Sequence, residues 1–231
     1  MRRVLVLLCV LLTCVLFAWI FWRGMVPQLP NITAAPVIVK QPAVIESRTF
    51  DPDAPPAEMP PLSTGELAVC DSNFGSNATV SGQSRYTDST HATVTITKIQ
   101  VTLQLTVTMW TPSGATQHVI DHEEGHREIS EYYYQIADKI AAQIAARYIG
   151  KRLAVTGADL PNAINLMLQQ TGKEIDEEYG KELNPEQAQL RYDEITDHSR
   201  NDVDYKSAVA QAIKETADAP AETPSAPESD H

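Results

Sequence analysis

Two histidines four residues apart, His122 and His126, enclose the stretch His-Glu-Glu-Gly-His, which has the form HExxH. On a helix, residues at this spacing lie on one face, so both imidazoles can reach the same point. Imidazole nitrogens bind Zn²⁺ well, and Glu123 between them is a candidate general base. A water bound to such an ion loses a proton near neutral pH and becomes a nucleophile. The motif therefore predicts a hydrolytic zinc site with two histidine ligands.

The residues around the motif have the apolar spacing of a long helix, which we predict from residue 113 to about residue 149. The two histidines lie on its apolar face, and buried polar groups need partners such as a metal ion. Turn residues precede the helix at 111–114, and Gly150 is a stop signal after it. The apolar positions of this face are Val119, Ile129, Tyr133, Ile136, Ile140 and Ile144.

A catalytic zinc site takes three protein ligands and leaves one position for water. The longer motif HExxHxxGxxH is absent, because Ile129 and Tyr132 stand where that motif needs Gly and His. His198 is the first candidate for the third ligand. Glu194, one helical turn before it, could hydrogen-bond its imidazole or replace it, and Asp193 and Asp197 are weaker candidates.

Other polar residues near these candidates could also serve the site. Tyr192 is a candidate hydrogen-bond donor to a developing oxyanion, as is Tyr205, although packing in the core is the alternative for both. His118 lies one turn before His122 and is either a further group near the metal or a surface residue. The acidic run at 193–197 could instead be a solvated helix end.

Composition limits the classes of partner. The chain has 231 residues, a formal net charge of −12 and a sequence pI near 4.9. Such an acidic chain repels the phosphates of nucleic acids, which argues against nucleic-acid binding. Cys9 and Cys14 lie in the first apolar run, which leaves Cys70 alone in the remaining chain. The fold must therefore be held by its core or by a metal ion.

Residues 1–23 have the pattern of a membrane anchor. Arg2 and Arg3 precede an apolar run at 4–22 whose only polar residue is Thr13. At ~1.5 Å per residue this run spans roughly 28 Å, close to the thickness of a bilayer core. It is longer than a usual signal-peptide core and no clear cleavage site ends it, so we predict an uncleaved signal anchor with its N-terminus in the cytoplasm. A cleaved signal peptide, which would release a secreted domain, is the alternative.

Residues 65–110 are predicted to be β structure. Apolar residues fall on even numbers at Val94 and Ile96 and on odd numbers from Ile99 to Met109. Because a slip of one residue reverses the face, we predict a bulge or break at residues 97–98. The polar opposite face indicates a half-buried antiparallel strand, with a sheet edge as one candidate position. Such an edge could pair with an extended substrate, and plain packing on the motif helix is the alternative.

The remaining segments are simpler. Residues 24–64 carry nine prolines and no apolar period, which is typical of an extended linker. A second helix is predicted at 160–182 and a third from residue 185, with a short last helix at 203–216. Residues 217–231 have the composition of a disordered acidic tail.

The HExxH helix at 122–126, followed about seventy residues later by Tyr192-Asp193-x-x-Thr196-x-His198, resembles the bacterial family called "domain of unknown function 922". The resemblance covers roughly residues 65–200, including a strand run that ends in Trp110. That family is described as predicted secreted zinc-dependent proteases, so the resemblance implies a Gram-negative envelope protein and favours His198 as a ligand. The family tends to have Gly after the last His, where this chain has Ser199.

We therefore predict an α+β domain at residues 65–216, in which a small antiparallel sheet packs on the long HExxH helix and further helices follow, a zincin-like arrangement behind an N-terminal transmembrane helix. The predicted function is that of a membrane-anchored, periplasm-facing zinc metallopeptidase acting on peptide or protein substrates of the cell envelope. Zn²⁺ is the predicted cofactor, held by His122, His126 and His198. A non-catalytic zinc-stabilised binding module is the alternative, and a metal-free structural domain is a third interpretation.

Overall fold

The computed structural model describes residues 35–63 and 65–217. The predicted membrane anchor at 1–23 lies outside these residues, as does the predicted tail beyond Ala217. Within the described ranges, no helix has both the length and the apolar character needed to cross a membrane. The described chain is α+β, with a five-stranded sheet and four helices.

A single long strand, β4 (His91–Pro112), pairs with every other strand of the sheet. Along one edge it pairs antiparallel with β3 (Val69–Tyr86). Along its other edge it pairs antiparallel with β5 (Arg152–Thr156) and parallel with β1 (Val37–Lys40) and β2 (Val44–Phe50). The prediction of an antiparallel sheet is therefore wrong for two of its strands. A position at the sheet edge is also wrong for β4, since the edge beside the motif helix belongs to β3.

The two parallel strands come from residues 24–64, which the sequence predicted as a linker. Val44 to Phe50 run beside Thr106 to Pro112, and the last of these strand residues, Phe50, is buried. The linker prediction is wrong for residues 37–50, because prolines between the strands hid two short runs of Val, Ile and Phe. The folded domain therefore begins before residue 65.

The predicted irregularity in β4 is confirmed. The pairing of β3 with β4 shifts between Ser81, which lies opposite Lys98, and Gly82, which lies opposite Ile96. Thr97 is the extra residue of the bulge. Buried positions change from even to odd numbers across it, so Ile96 and the odd-numbered residues from Ile99 to Met109 pack into one core cluster.

The HExxH motif lies on α1 (Gln117–Ala146), a helix of 30 residues. Thr116 caps its N-terminus by accepting a hydrogen bond from the Val119 N–H at 3.4 Å. The predicted start at residue 113 is wrong because β4 continues through Pro112 before the chain turns. The helix ends four residues before Gly150, whose positive φ of 83° lies in the turn that leads into β5.

The buried face of α1 differs partly from the predicted one. Ile129 and Ile144 are fully buried as predicted, but Ile136 is 39% exposed. Ala137 and Ala141 take the inward positions instead. Small side chains let the helix backbone approach the sheet closely. The predicted face was wrong at Ile136 because it was defined by large apolar residues alone.

Three further helices follow β5: α2 (Leu160–Leu183), α3 (Glu186–Thr196) and α4 (Tyr205–Ala217). All three predicted helices are confirmed, and each boundary that was predicted lies within about two residues of the observed one. One core cluster joins β4, α1 and α2, and a second joins Ile129 of α1 to α3 and α4. The motif helix therefore lies between the sheet and the last two helices.

The contact of α2 with β3 depends on Gly172, which is buried on α2. A Cβ at this position would lie 2.5 Å from the backbone oxygen of Ala78. Asp176, one turn later, accepts hydrogen bonds from the Ser76 hydroxyl and the Ala78 N–H. The helix is thus fixed to one half of the free edge of β3.

We expect Gly172→Ala to lower the free energy of unfolding by about 1–3 kcal/mol. The added Cβ would clash with the backbone of Ala78, which moves less readily than a side chain. Gly180→Ala on the same helix is the control, because a Cβ there meets nothing within 4 Å. We expect that change to stabilise the protein by about 0.5–1 kcal/mol. Urea unfolding of both variants measures the difference, and equal effects would contradict the close packing of α2 on β3.

Candidate metal centre

Three side chains converge between α1 and α3. His126 Nε2 lies 2.9 Å from Asp193 Oδ1, His122 Nε2 lies 3.3 Å from the same oxygen, and the two Nε2 atoms are 3.2 Å apart. His122 and Asp193 are largely buried, with 8% and 15% of their side chains exposed. These three residues form a group that could hold a metal ion.

The spacing of these atoms fits a tetrahedral ion. Ligands at about 2.0–2.1 Å from such an ion are about 3.3 Å apart, close to all three distances. Asp193 Oδ1 is buried and has no hydrogen-bond partner within the described residues. An unpartnered buried carboxylate oxygen facing two imidazoles is an unfavourable arrangement unless a cation lies between them.

The hydrogen bonds of His126 direct its Nε2 towards this group. Its Nδ1 lies 2.5 Å from Gln189 Oε1. The Gln189 amide nitrogen donates to the backbone oxygen of His126 and to the hydroxyl of Ser130, which fixes the orientation of the amide. The Gln189 oxygen must therefore accept the Nδ1–H of His126. In the neutral imidazole this leaves a lone pair on Nε2.

Thr196 fixes the tautomer of His122 in the way that Gln189 fixes that of His126. Its hydroxyl donates its one proton to the backbone oxygen of Tyr192 at 2.8 Å. The hydroxyl oxygen lies 3.3 Å from His122 Nδ1, so it accepts the Nδ1–H of the imidazole. The Nε2 lone pair of His122 then also faces Asp193. Both tautomers are thus set by residues of α3, as is usual for histidines that bind metals.

Tyr192 holds the motif helix against α3. Its ring stacks on the His122 imidazole with centroids 5.1 Å apart and meets His126 edge-on at 4.9 Å. Its hydroxyl donates to the backbone oxygen of His122 at 3.2 Å. A Cβ at Gly125 would lie 2.2 Å from that hydroxyl, so only glycine fits this position of the motif. The predicted role of Tyr192 as oxyanion donor is wrong, because its proton is already donated within a buried contact.

The charges of the group favour a cation. Burial raises the pKa of Asp193, but the two neighbouring imidazoles hold it well below its usual range, so the residue is an anion. Burial lowers the pKa of His122, which keeps this imidazole neutral. Burial also opposes charge on His126, yet Asp193 beside it raises its pKa. A single proton can form a hydrogen bond between only two of the three atoms, His122 Nε2, His126 Nε2 and Asp193 Oδ1. A metal ion could bind all three at once.

Glu123 lies beside the group and is not part of it. The residue is 4% exposed, and its Oε2 is buried without a hydrogen-bond partner within the described residues. Burial raises its pKa to about 7, which the positive potential at His126 partly opposes. A carboxyl group with this pKa can accept and return a proton near neutral pH.

His198, the first choice for the third ligand, lies next to the group rather than in it. Its Nδ1 is 3.9 Å from Asp193 Oδ1 and 3.9 Å from Glu66 Oε1. That nitrogen is buried and unpartnered within the described residues. His198 follows the last turn of α3, where Asp197, His198 and Ser199 all adopt left-handed conformations with φ of 47°, 52° and 61°. Asp193 lies inside the helix and reaches the imidazoles directly, so it takes the place predicted for His198.

The other candidates are not brought to the site. Glu194 points outward, with 65% of its side chain exposed and an ion pair to Arg191 at 2.8 Å. It is therefore neither a ligand nor a partner of the His198 imidazole. His118 is exposed at the start of α1, and Tyr205 packs in the second core cluster.

Sequence analysis missed Gln189 and gave Thr196 no role beyond its place in the family pattern, although a signal was present. Gln189, Tyr192, Asp193 and Thr196 are spaced at i, i+3, i+4 and i+7, which is one face of a helix. Charge drew attention to Glu194 and to the acidic run instead. The polar residues that set the imidazole tautomers are uncharged, so only the helical period identifies them.

The group opens into a cleft of about 400 Å³. One wall is the first part of β3, from Val69 to Phe74, and the floor is formed by the motif helix. Ser72 of β3 contacts Ser130 of α1 through their hydroxyls at 2.7 Å. Cys70 lines the same wall, but burial and the nearby Glu123 carboxylate raise its pKa to about 12, so it remains a thiol rather than a thiolate ligand.

Comparison with known proteins adds no relative. No family model matches the chain, and no curated protein or solved structure matches it either. The class of the site is therefore defined by its own chemistry, a cluster of two imidazoles and one carboxylate that could hold a metal ion.

We expect Asp193→Asn to lower the affinity for added Zn²⁺ by roughly 100-fold or more, since it replaces the only anion of the group with a neutral amide. Glu194→Gln is the matched control. It changes the next residue on the same helix, which is exposed, and should leave affinity unchanged. Titration against a fluorescent zinc chelator measures both. Equal affinity of Asp193→Asn and wild type would exclude Asp193 as a ligand.

We expect Thr196→Val, which has the same shape without the hydroxyl, to weaken binding of Zn²⁺ by about 10- to 100-fold. The reason is that the His122 Nδ1–H loses its acceptor, so the tautomer with a free Nε2 is no longer favoured. Nitrogen-15 NMR of the histidine rings reports the tautomer directly. An unchanged tautomer in the variant would contradict the role given to Thr196.

Proposed function

We propose that the protein is a zinc metallopeptidase of the HExxH type, with zinc held by His122, His126 and Asp193 and with Glu123 as general base. The observation that carries the proposal is the convergence of two imidazole lone pairs on the buried, unpartnered oxygen of Asp193. Two histidines and one carboxylate are a known ligand set of catalytic zinc, which leaves a fourth position for water.

A zinc ion at this site supplies Lewis acidity, which polarises a peptide carbonyl and lowers the pKa of a bound water. Glu123 accepts the proton of the attacking water as its oxygen forms a bond to the carbonyl carbon. The same carboxyl then gives the proton to the amide nitrogen as the C–N bond breaks, so the amine leaves neutral. Gln189 and Thr196 keep both imidazoles in the tautomer that binds metal, and Tyr192 keeps α1 and α3 at the required distance.

A peptide is favoured as substrate by the free edge of β3. The Ala78 N–H points away from β4, since it donates to Asp176, and backbone directions alternate along an antiparallel strand. The N–H and C=O groups of Cys70, Ser72 and Phe74 therefore also point away from β4, into the cleft. They have no backbone partner within the described residues. An extended peptide could pair with this edge and lie across the metal.

The proposal also covers the fold type, the membrane anchor and the family. The sheet edge above the HExxH helix favours a zincin-like arrangement, with the third ligand on a later helix. The apolar run at 4–22 favours a single membrane anchor that leaves the domain in the periplasm. Membership of the family called "domain of unknown function 922" stays a prediction.

Glu123→Gln is expected to retain zinc and to lose hydrolysis, with kcat falling by about 10²- to 10⁴-fold, because the amide cannot accept the proton. Glu124→Gln is the matched control, since Glu124 is the adjacent residue but forms an ion pair with Arg127. Elemental analysis gives the metal content of both variants, and cleavage of unfolded casein gives the activity.

Hydrolysis by Glu123→Gln at the wild-type rate would contradict the proposed mechanism. Zinc in wild type without any hydrolysis would favour the non-catalytic binding module, in which the metal only fixes α1 to α3. If folded wild type takes up no zinc, the third interpretation, a metal-free structural domain, would be favoured.

A further inference from the structure

A second cavity, of about 370 Å³, opens beside the metal cleft, between the end of β2 and the start of β3. Among the described residues its lining is almost entirely apolar, and Glu66 is the one charged residue. Leu67 on its rim is 61% exposed, and Leu62 is 38% exposed. Exposed apolar side chains around a concave apolar surface are typical of a binding site. The walls are Phe50, Met59, Leu62, Leu67, Pro112 and the prolines between residues 52 and 61.

The walls of this cavity are fixed by local structure. The Ser113 N–H donates to the Phe50 oxygen at 2.8 Å, which joins the end of β2 to the turn after β4. The Ala54 N–H donates to the Asp51 oxygen at 3.0 Å, and the Met59 N–H to the Pro56 oxygen at 3.1 Å. Prolines restrict the backbone between these turns. The cavity is therefore formed before any ligand binds, which favours binding of a ligand of matching shape.

The cavity adjoins the metal cleft. Pro61, Glu66 and Leu67 line both. Leu67 lies two residues before β3, whose free edge forms the wall of the cleft. A peptide paired with that edge would therefore have one of its side chains at the mouth of the cavity, close to the bond that is cleaved.

We propose that this cavity is the specificity pocket of the enzyme and that it takes a large apolar side chain, aromatic or branched aliphatic, of an extended peptide substrate. The proposal rests on the function proposed above. Apolar walls favour such a side chain because its burial removes apolar surface from water. The carboxylate of Glu66 at the junction repels acidic side chains, and its Oε2 accepts the Ser63 N–H at 2.9 Å, which holds it in place.

Two measurements on the full-length chain test this proposal. The first is cleavage of a randomised peptide library, with the products sequenced by mass spectrometry. Wild type should prefer Phe, Leu or Ile over Ala at one fixed position near the scissile bond by about 10- to 100-fold. Leu67→Asp should abolish this preference, because it adds a carboxylate to the apolar rim.

Leu166→Asp is the matched control. Leu166 is an equally exposed leucine of α2, at 56%, and lines neither cavity, so the variant should keep the wild-type preference. The second measurement needs no catalysis. Saturation-transfer NMR should detect binding of N-acetyl-phenylalaninamide, but not of N-acetyl-alaninamide, to wild type and to Leu166→Asp, and neither amide should bind to Leu67→Asp.

The two measurements separate the two proposals. Cleavage without an apolar preference, or with a preference that Leu67→Asp leaves unchanged, would overturn the pocket but not the peptidase. Binding of the phenylalanine amide that Leu67→Asp removes, in a protein that cleaves nothing, would support the pocket and overturn the peptidase. Equal binding of the two amides by wild type would overturn the pocket whatever the activity.

Discussion

The structure depends on one electrostatic constraint, which is that two imidazole nitrogens and one carboxylate oxygen face each other with no hydrogen bond that satisfies all three. Each atom is a lone-pair acceptor in the tautomers that Gln189 and Thr196 select. Buried acceptors that face each other repel, and their desolvation is not compensated. A cation would remove the conflict, so binding of a metal ion at this group would also stabilise the α1–α3 contact.

The packing of the surrounding helices and the sheet holds these three groups together. α1 is held on one side by the sheet and α2, and on the other by α3 and α4, so the histidines cannot swing apart without breaking one of two apolar clusters. Gly125 lets the Tyr192 ring lie directly on the motif helix, which sets the separation of the two helices. The packing of the core thus fixes the relative positions of the three groups that could hold a metal ion.

Much of this was predictable, and the reasons for the failures are physical. Periodicity predicted the long helix, the later helices and the bulge at residues 97–98, because each depends on neighbours in sequence. The parallel strands β1 and β2 were missed since four to seven residues among prolines become strands only when β4 lies beside them. The inward position of His122 and His126 was predictable from the helix face. The choice of Asp193 over His198 was not, because it depends on where α3 ends.

That end of α3 explains the surroundings of the site. Asp197, His198 and Ser199 are three consecutive non-glycine residues in left-handed conformations, each at a cost of about 1–2 kcal/mol. Such an arrangement persists only when its surroundings enforce it, and it concentrates at functional sites. Here the turn brings the His198 imidazole back over Asp193 and opposite Glu66, at the junction of the metal cleft and the apolar cavity. The strained turn therefore places His198 and Ser199 in the lining of the metal cleft.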